Sequence, residues 1–445
     1  MPCTATRANT ITAAKTTDVF DPSQFDAASI RLHPYGASVR HALAAAFNAV
    51  EPGAAVKKFL GEHPLPPGKR IFAFGLGKAA CAMTNALADV SKPVDALLVT
   101  KHASPLTFEP ASVILGDHPI PGESSLRAGS AAMEFVSRLT KDDLLVCLIS
   151  GGGSALMIAP LIPLEDLQSL TSALLRCGAR IDEINTLRRH LDRLKGGGLA
   201  ELANGAQMVS LILSDVVGDS LEAIASGPTA PDPSTKADAL VILEKYDLPA
   251  KVPASVIRAM RETAKPADSV FERVQNALVA SNAIALRSAG SQLEQEGFGN
   301  KIINSNLQGE AREVGREMAI RLKNELAKMP RPFCLLAGGE TTVTVRGNGK
   351  GGRNQETALG AAAELAGTPN VMLISIATDG EDGPTDAAGA VVTGETAQRA
   401  KSLQMDRADY QSRNDAYSYF ANLDDLIKTG PSGTNVNDLV LAFAF

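Results

Sequence analysis

Lys78 stands in Gly75-Leu76-Gly77-Lys78-Ala79-Ala80, where an apolar run gives way to a helix-like stretch, Cys81 to Val90. Amides at a helix N-terminus with an ammonium beside them suit an anion, so Gly75, Gly77 and Lys78 are read as phosphate binders. The same residues fit the G-x-G-x-x-A dinucleotide fingerprint. The next apolar run, however, ends in Thr100-Lys101, without the acid that would hold a ribose, which weakens a nicotinamide reading. Ser150-Gly151-Gly152-Gly153-Ser154 also follows an apolar run; three glycines let the backbone approach a ligand while Ser150 and Ser154 add hydroxyls. A tight strand-to-helix turn would need fewer glycines.

Further along, Asn185-Thr186-Leu187-Arg188-Arg189-His190 leads to Lys195 and a glycine stop. Such a cationic helix is ordinarily a solvated face; the sharper reading gives Arg188 a carboxylate or phosphate to grip, and His190 a structural hydrogen bond. Asp215 and Asp219 follow the run Val209 to Leu213, and Asp379 follows Val371 to Ile376. Carboxylates at strand ends can hold Mg²⁺ or take a hydroxyl proton; as metal ligands the three are Asp215, Asp219 and Asp379. Their spacing is not that of an EF-hand. Glu340 follows Gly338-Gly339, and Arg353 and Asn354 open a helix behind Gly347 to Gly352. No Walker A lysine is in register and no protein-kinase signature set is present, so a nucleotide must be held in another way.

These residues need rigid elements behind them. Apolar runs at Ile71–Phe74, Val94–Val99, Leu144–Ile149 and Val209–Leu213, then at Ala277–Ala280, Phe333–Leu336, Val371–Ile376 and Leu439–Phe445, read as strands covered on both faces. The expected fold is α/β: two Rossmann-like α/β domains with mainly parallel sheets and a cleft between them. The expected divisions are a loose tail at 1–28, an N-terminal domain at 29–270 and a C-terminal domain at 271–445. At 445 residues, with a net charge of -6 and 4% aromatics, the chain has room for two cores but neither the basic field nor the stacking platforms that nucleic acid needs. The uncharged stretch 144–164 is broken by glycines and prolines and so is not a membrane span. Five scattered cysteines without a CxxC pair suit a reducing, cytoplasmic setting.

The set Gly75–Ala80, Ser150–Leu156, Asn185–Ala200, Ser214–Thr229, Gly338–Glu340, Gly351–Glu356 and Ala377–Gly383, in that order, resembles the glycerate 2-kinases whose C-terminal part is the MOFRL domain. Asp192 departs from the small hydroxyl residue of that pattern. The resemblance implies ATP-dependent phosphorylation of D-glycerate to 2-phosphoglycerate with Mg²⁺, with Lys78 and Arg353 catalytic; Asp215 is read as catalytic from its own strand-end chemistry, as metal ligand or base. It also leaves a second reading, NAD(P)H-dependent hydroxypyruvate reduction, because members have carried that label. The partners it implies are small molecules, D-glycerate and ATP, with no nucleic acid and no membrane; oligomeric state is left open.

Overall fold

The computed structural model describes residues 19–445. Most of the expected tail therefore lies outside the described residues. The remainder of it is packed: Phe20 and Phe25 are buried against Phe47, with ring centroids 5.4 and 4.8 Å away. Each buried ring contributes about 1.5–3 kcal/mol, enough to hold a short segment in place.

The first sheet contains β1 (Arg70–Leu76), β2 (Asp95–Thr100), β3 (Ser112–Leu115), β4 (Asp143–Ile149), β5 (Gln207–Leu213) and β6 (Val274–Ala280), in the order β3-β2-β1-β4-β5-β6. Every pair is parallel. Successive connections run outward one way from β1 and the other way from β4, so a crevice opens between the carboxyl ends of these two strands. The sheet extends past residue 270, because β6 is hydrogen-bonded to β5 and closes its edge.

The second sheet contains β7 (Gly299–Leu307), β8 (Phe333–Gly339), β9 (Val371–Ala377), β10 (Gly389–Thr393), β11 (Leu426–Ile427) and β12 (Asp438–Ala444), in the order β11-β10-β9-β12-β8-β7. Here the parallel expectation fails: only β7 and β8 run parallel, and β12 lies antiparallel between β8 and β9. β12 is buried along its whole length, so its residues read as a continuous apolar run whichever way it points.

The N-terminal segment ties the halves together. Helix Gly36–Ala49 packs on helix Asn282–Gln295 through Ala42, Ala46, Ala285 and Ala289, all fully buried, and small residues allow close approach. Ahead of it, Ala28 N donates to Asp424 O at 2.7 Å and Ser29 N to Asp425 Oδ1 at 2.8 Å. Helix Pro52–Glu62 packs instead on helix Ala80–Val90 of the first sheet. One apolar cluster accordingly runs from Ala73 and Leu148 to Leu336 and Ile374.

Candidate active site

At the crevice, Gly77 has φ of +114°, and a Cβ there would lie 2.3 Å from Ser150 O, so only glycine fits. The amides of this turn are spent inside the protein: Gly77 N donates to Val99 O at 2.9 Å, Lys78 N to Gly151 O at 3.0 Å and Ala79 N to Ser150 Oγ at 3.0 Å. The phosphate cradle expected at Gly75 and Gly77 is thus not formed. Gly75 lies within β1, where a Cβ would press on Leu98 and Ala80, and it serves close strand-to-helix packing. What this turn offers a ligand is the exposed Lys78 side chain.

The free donors are one strand over. Gly152 adopts a left-handed conformation, and the amides of Gly151, Gly152, Gly153 and Ser154 give no hydrogen bond to an acceptor among the described residues. Lys78 Cε would be 3.6 Å from a Cβ on Gly152, so the ammonium arm lies over this run. Successive outward amides with a cation above them form an anion-binding concavity. Asp215, half-buried at the end of β5, is packed against Gly151 so closely that a Cβ there would lie 1.9 Å from its Oδ2. Burial pushes its carboxyl up, opposed by its own amide and by the Lys78 charge, and it has no ion-pair partner among the described residues.

Ser154 Oγ meets Ser226 Oγ at 2.8 Å. Ala225, Ser226 and Gly227 all have positive φ, a strained turn whose Ala225 methyl lies where a Gly153 side chain would go. Asp219 sits at a left-handed turn with φ of +56°. In the cationic helix, Arg189 pairs with buried Asp232 at 2.9 Å and His190 Nδ1 meets Arg261 O at 2.8 Å, both structural. Arg188 differs: it faces a cavity of about 250 Å³. Asp192 accepts from Ala159 N at 2.9 Å and Leu194 N at 2.8 Å, so it organises the local backbone.

The second cluster lies where β8, β9 and β12 meet. Because β12 is antiparallel, its first residue, Asp438, comes level with Gly339 and Ala377 at the carboxyl ends of both neighbours. Arg353 donates to Asp438 through Nε at 2.5 Å and Nη2 at 3.0 Å, and its Nη1 is 3.0 Å from Glu340 Oε1. Burial disfavours its charge, but Asp438, then Glu340 and Asp382, outweigh this and raise its pKa. Asp382 occupies the helix N-terminus behind Gly352, accepting from Asn354 N at 3.0 Å and Gln355 N at 2.9 Å. Burial pushes Asp382 up to about 7 against those two bonds, with Asp438 adding to the rise. Asn354 is buried and accepts from Ser375 Oγ at 2.7 Å.

Asn282, just beyond β6 of the first sheet, reaches into the second cluster. Its Nδ2 donates to Val436 O and Asp438 O, both at 2.9 Å, and its side chain fills the space left by Gly338. The structure therefore gathers Lys78, Ser150 to Ser154 and Asp215 at one sheet end, and Glu340, Arg353 and Asn354 at the other. Asp379 stands apart in its own turn, where Ser432 N donates to its backbone oxygen at 3.0 Å. Among the described residues no three acidic, histidine or cysteine side chains come together as a metal-ligand set.

Sequence reasoning passed over Asp438, which becomes a site residue only through the strand register, and His118. The His118 ring would lie 3.4 Å from a Cβ on Gly152, and burial, then Lys78 and Lys101, lower its pKa. A histidine beside a proline carries no spacing signal of its own.

Fold and site together define a two-sheet α/β protein with Lys78 and four free backbone amides at the crevice of its first sheet. Residues 38–261 match the family described as Domain of unknown function (DUF4147), and residues 333–438 match the MOFRL family. A D-glycerate 2-kinase of Thermotoga maritima is 42% identical over 402 residues, which are 88% of this chain and 94% of that one. A glycerate 2-kinase of Pyrococcus horikoshii is 41% identical over 385 residues, 84% of this chain and 87% of that one. The crystal structure of the Thermotoga maritima glycerate kinase aligns with a TM-score of 0.85 at 41% identity, covering 91% of this chain and 98% of that one. The chain belongs to the glycerate kinase family with a C-terminal MOFRL domain.

Proposed function

We propose that the protein transfers the γ-phosphoryl group of ATP to the 2-hydroxyl of D-glycerate, giving 2-phosphoglycerate and ADP. The observation that carries this reading is the Lys78 arm over four unspent amides, Gly151 to Ser154, with Asp215 alongside. Phosphoryl transfer asks the protein for positioning and charge stabilisation rather than covalent chemistry. In the step, the hydroxyl oxygen bonds to the γ-phosphorus, the bond from that phosphorus to the β-phosphate oxygen breaks, and the hydroxyl proton leaves. Lys78 and the amides stabilise the phosphoryl oxygens. Arg353 keeps N–H donors on Nη1 and Nη2 beyond those given to Asp438 and Glu340, and these are its contribution to the same charge.

Magnesium fits this donor set in the usual way, through one or two protein carboxylates and the triphosphate itself. Asp215, a half-buried carboxylate without a cation partner among the described residues, would hold it, and the ion would neutralise triphosphate charge. Asp215 is equally placed to take the hydroxyl proton. A cytoplasmic location belongs to this proposal, supported by the buried free thiols Cys81, Cys147 and Cys334.

The test is ADP release from Mg-ATP and D-glycerate, coupled in parallel to enolase without a mutase. Signal in both assays sustains the reading; ADP without an enolase signal moves the phosphate to the 3-position. NADH oxidation by hydroxypyruvate with no ADP formed would instead establish the reductase, whose ribose-binding acid is replaced by Thr100 and Lys101 at the end of β2.

A further inference from the structure

The cavity faced by Arg188 lies at the same crevice as the glycine loop. One wall holds Ile120 and Pro121, two and three residues beyond His118; another holds Ser154, two residues beyond Gly152. A Cβ on Gly152 would meet the His118 ring at 3.4 Å and Lys78 Cε at 3.6 Å, so Lys78, His118 and the glycine run form one neighbourhood beside the cavity. Arg188, Lys195 and Ile158 complete its floor.

The cations here are not equivalent. Lys195 gives its Nζ to Met157 O at 2.8 Å and lies 3.9 Å from Asp192. Arg189 is committed to Asp232, and Arg353 to Asp438 and Glu340. Asp192, the carboxylate in this wall, is used by two amides and Lys195. Arg188 has a single contact, Nη1 to Asn185 Oδ1 at 3.3 Å, and no carboxylate among the described residues. It is a half-buried guanidinium without a counter-charge among the described residues, and burial lowers its pKa. Such a group is costly unless an anion arrives to pair with it. A planar fork of donors in a partly apolar cavity suits a carboxylate, held bidentately, better than a highly hydrated phosphate. Ser154, which lines the cavity and whose amide is one of the four free donors, meets Ser226 Oγ through its hydroxyl at 2.8 Å.

We infer that Arg188 is the specificity-determining residue of the acceptor site, binding the carboxylate of a short 2-hydroxy acid while the hydroxyl turns toward Lys78. The inference rests on the kinase reading for the identity of the acid. It explains how an acid is distinguished from a neutral polyol: glycerol would leave the half-buried Arg188 unpaired, and sites with polar groups left unpaired reject such analogues strongly.

The experiment compares wild type, Arg188→Met and Arg188→Lys with Mg-ATP and either D-glycerate or glycerol. The expected result for Arg188→Met is a KM for D-glycerate raised about 10² to 10³-fold, an ATP KM within about twofold of wild type, and a collapse of the preference for D-glycerate over glycerol. Its thermal midpoint should not fall, since a half-buried charge without an ion-pair partner among the described residues has been removed. If Arg188→Met does not fold, Arg188→Lys carries the test, losing the bidentate grip and raising the same KM about tenfold. An unchanged D-glycerate KM, or an ATP KM that rises as much, overturns the assignment. If wild type makes no ADP, the kinase reading has failed, and calorimetric titration with D-glycerate alone decides the matter. Binding that disappears in Arg188→Met keeps the carboxylate site, and no binding by wild type ends it.

Discussion

Arg353 carries two burdens, and alanine substitution should expose both. Its guanidinium is the counter-charge of Asp438, whose side chain is 6% exposed, while Arg353 itself is 30% exposed. Removing one partner of a buried pair costs about 3–5 kcal/mol, and the residual exposure of Arg353 places the expected loss near the low end, about 3 kcal/mol. Burial already pushes the Asp438 carboxyl up and Arg353 holds it back, so in Arg353→Ala the rise goes unopposed. A carboxyl whose folded pKa lies above its unfolded value of about 3.9 binds more protons folded than unfolded. The variant's stability should therefore fall as pH rises from about 4 toward the raised folded value, and its deficit should be smallest in acid. The assay is thermal unfolding across pH for wild type, Arg353→Ala, Asp438→Asn and the double variant. The double variant should recover most of the stability and none of the turnover. If Arg353→Ala is as stable as wild type at pH 7, or if Asp438→Asn fails to rescue it, the pairing does not hold this end of the sheet together.

Lys78→Ala should leave the thermal midpoint unchanged, because the side chain is exposed and in no ion pair among the described residues, while kcat falls about 10² to 10⁵-fold. In the same variant the His118 pKa, followed by NMR, should rise, since one of the charges lowering it has gone. Asp215→Asn should lower kcat about 10² to 10⁴-fold with an unchanged Mg²⁺ requirement if the carboxylate takes the proton; recovery at high Mg²⁺ would make it a metal ligand. Gly77→Ala places a methyl 2.3 Å from Ser150 O at a φ of +114° and should cost about 1–3 kcal/mol or more in denaturant titration.

The strands covered on both faces were legible as apolar runs: β4 and β9 are buried throughout, and their boundaries fall close to those expected. β3 is a mostly exposed edge strand whose apolar run is only Val113 to Leu115, and β7 is an edge strand in which three Asn and one Lys surround Ile302 and Ile303, so neither shows the longer run of a strand covered on both faces. Lys78, the triglycine and Asp215 stood out because their chemistry is written within a few residues. The roles of Gly75 and Gly77 did not, since spacing says nothing of which carbonyls will take the amides. Nor did the Arg353–Asp438 pair, set 85 positions apart and created by the direction of β12.

The tie between Ser29 and Asp425 spans 396 positions. At about 5–20 residues per second, the ribosome needs about 20 to 80 s to deliver the second partner after the first. Throughout that interval Val39, Leu43 and Phe47, fully buried in the finished protein, have no helix Asn282–Gln295 or late loop to cover them. Residues 19–50 are thus made long before the elements that cover them, and an early chaperone contact is where their apolar surface would be sheltered.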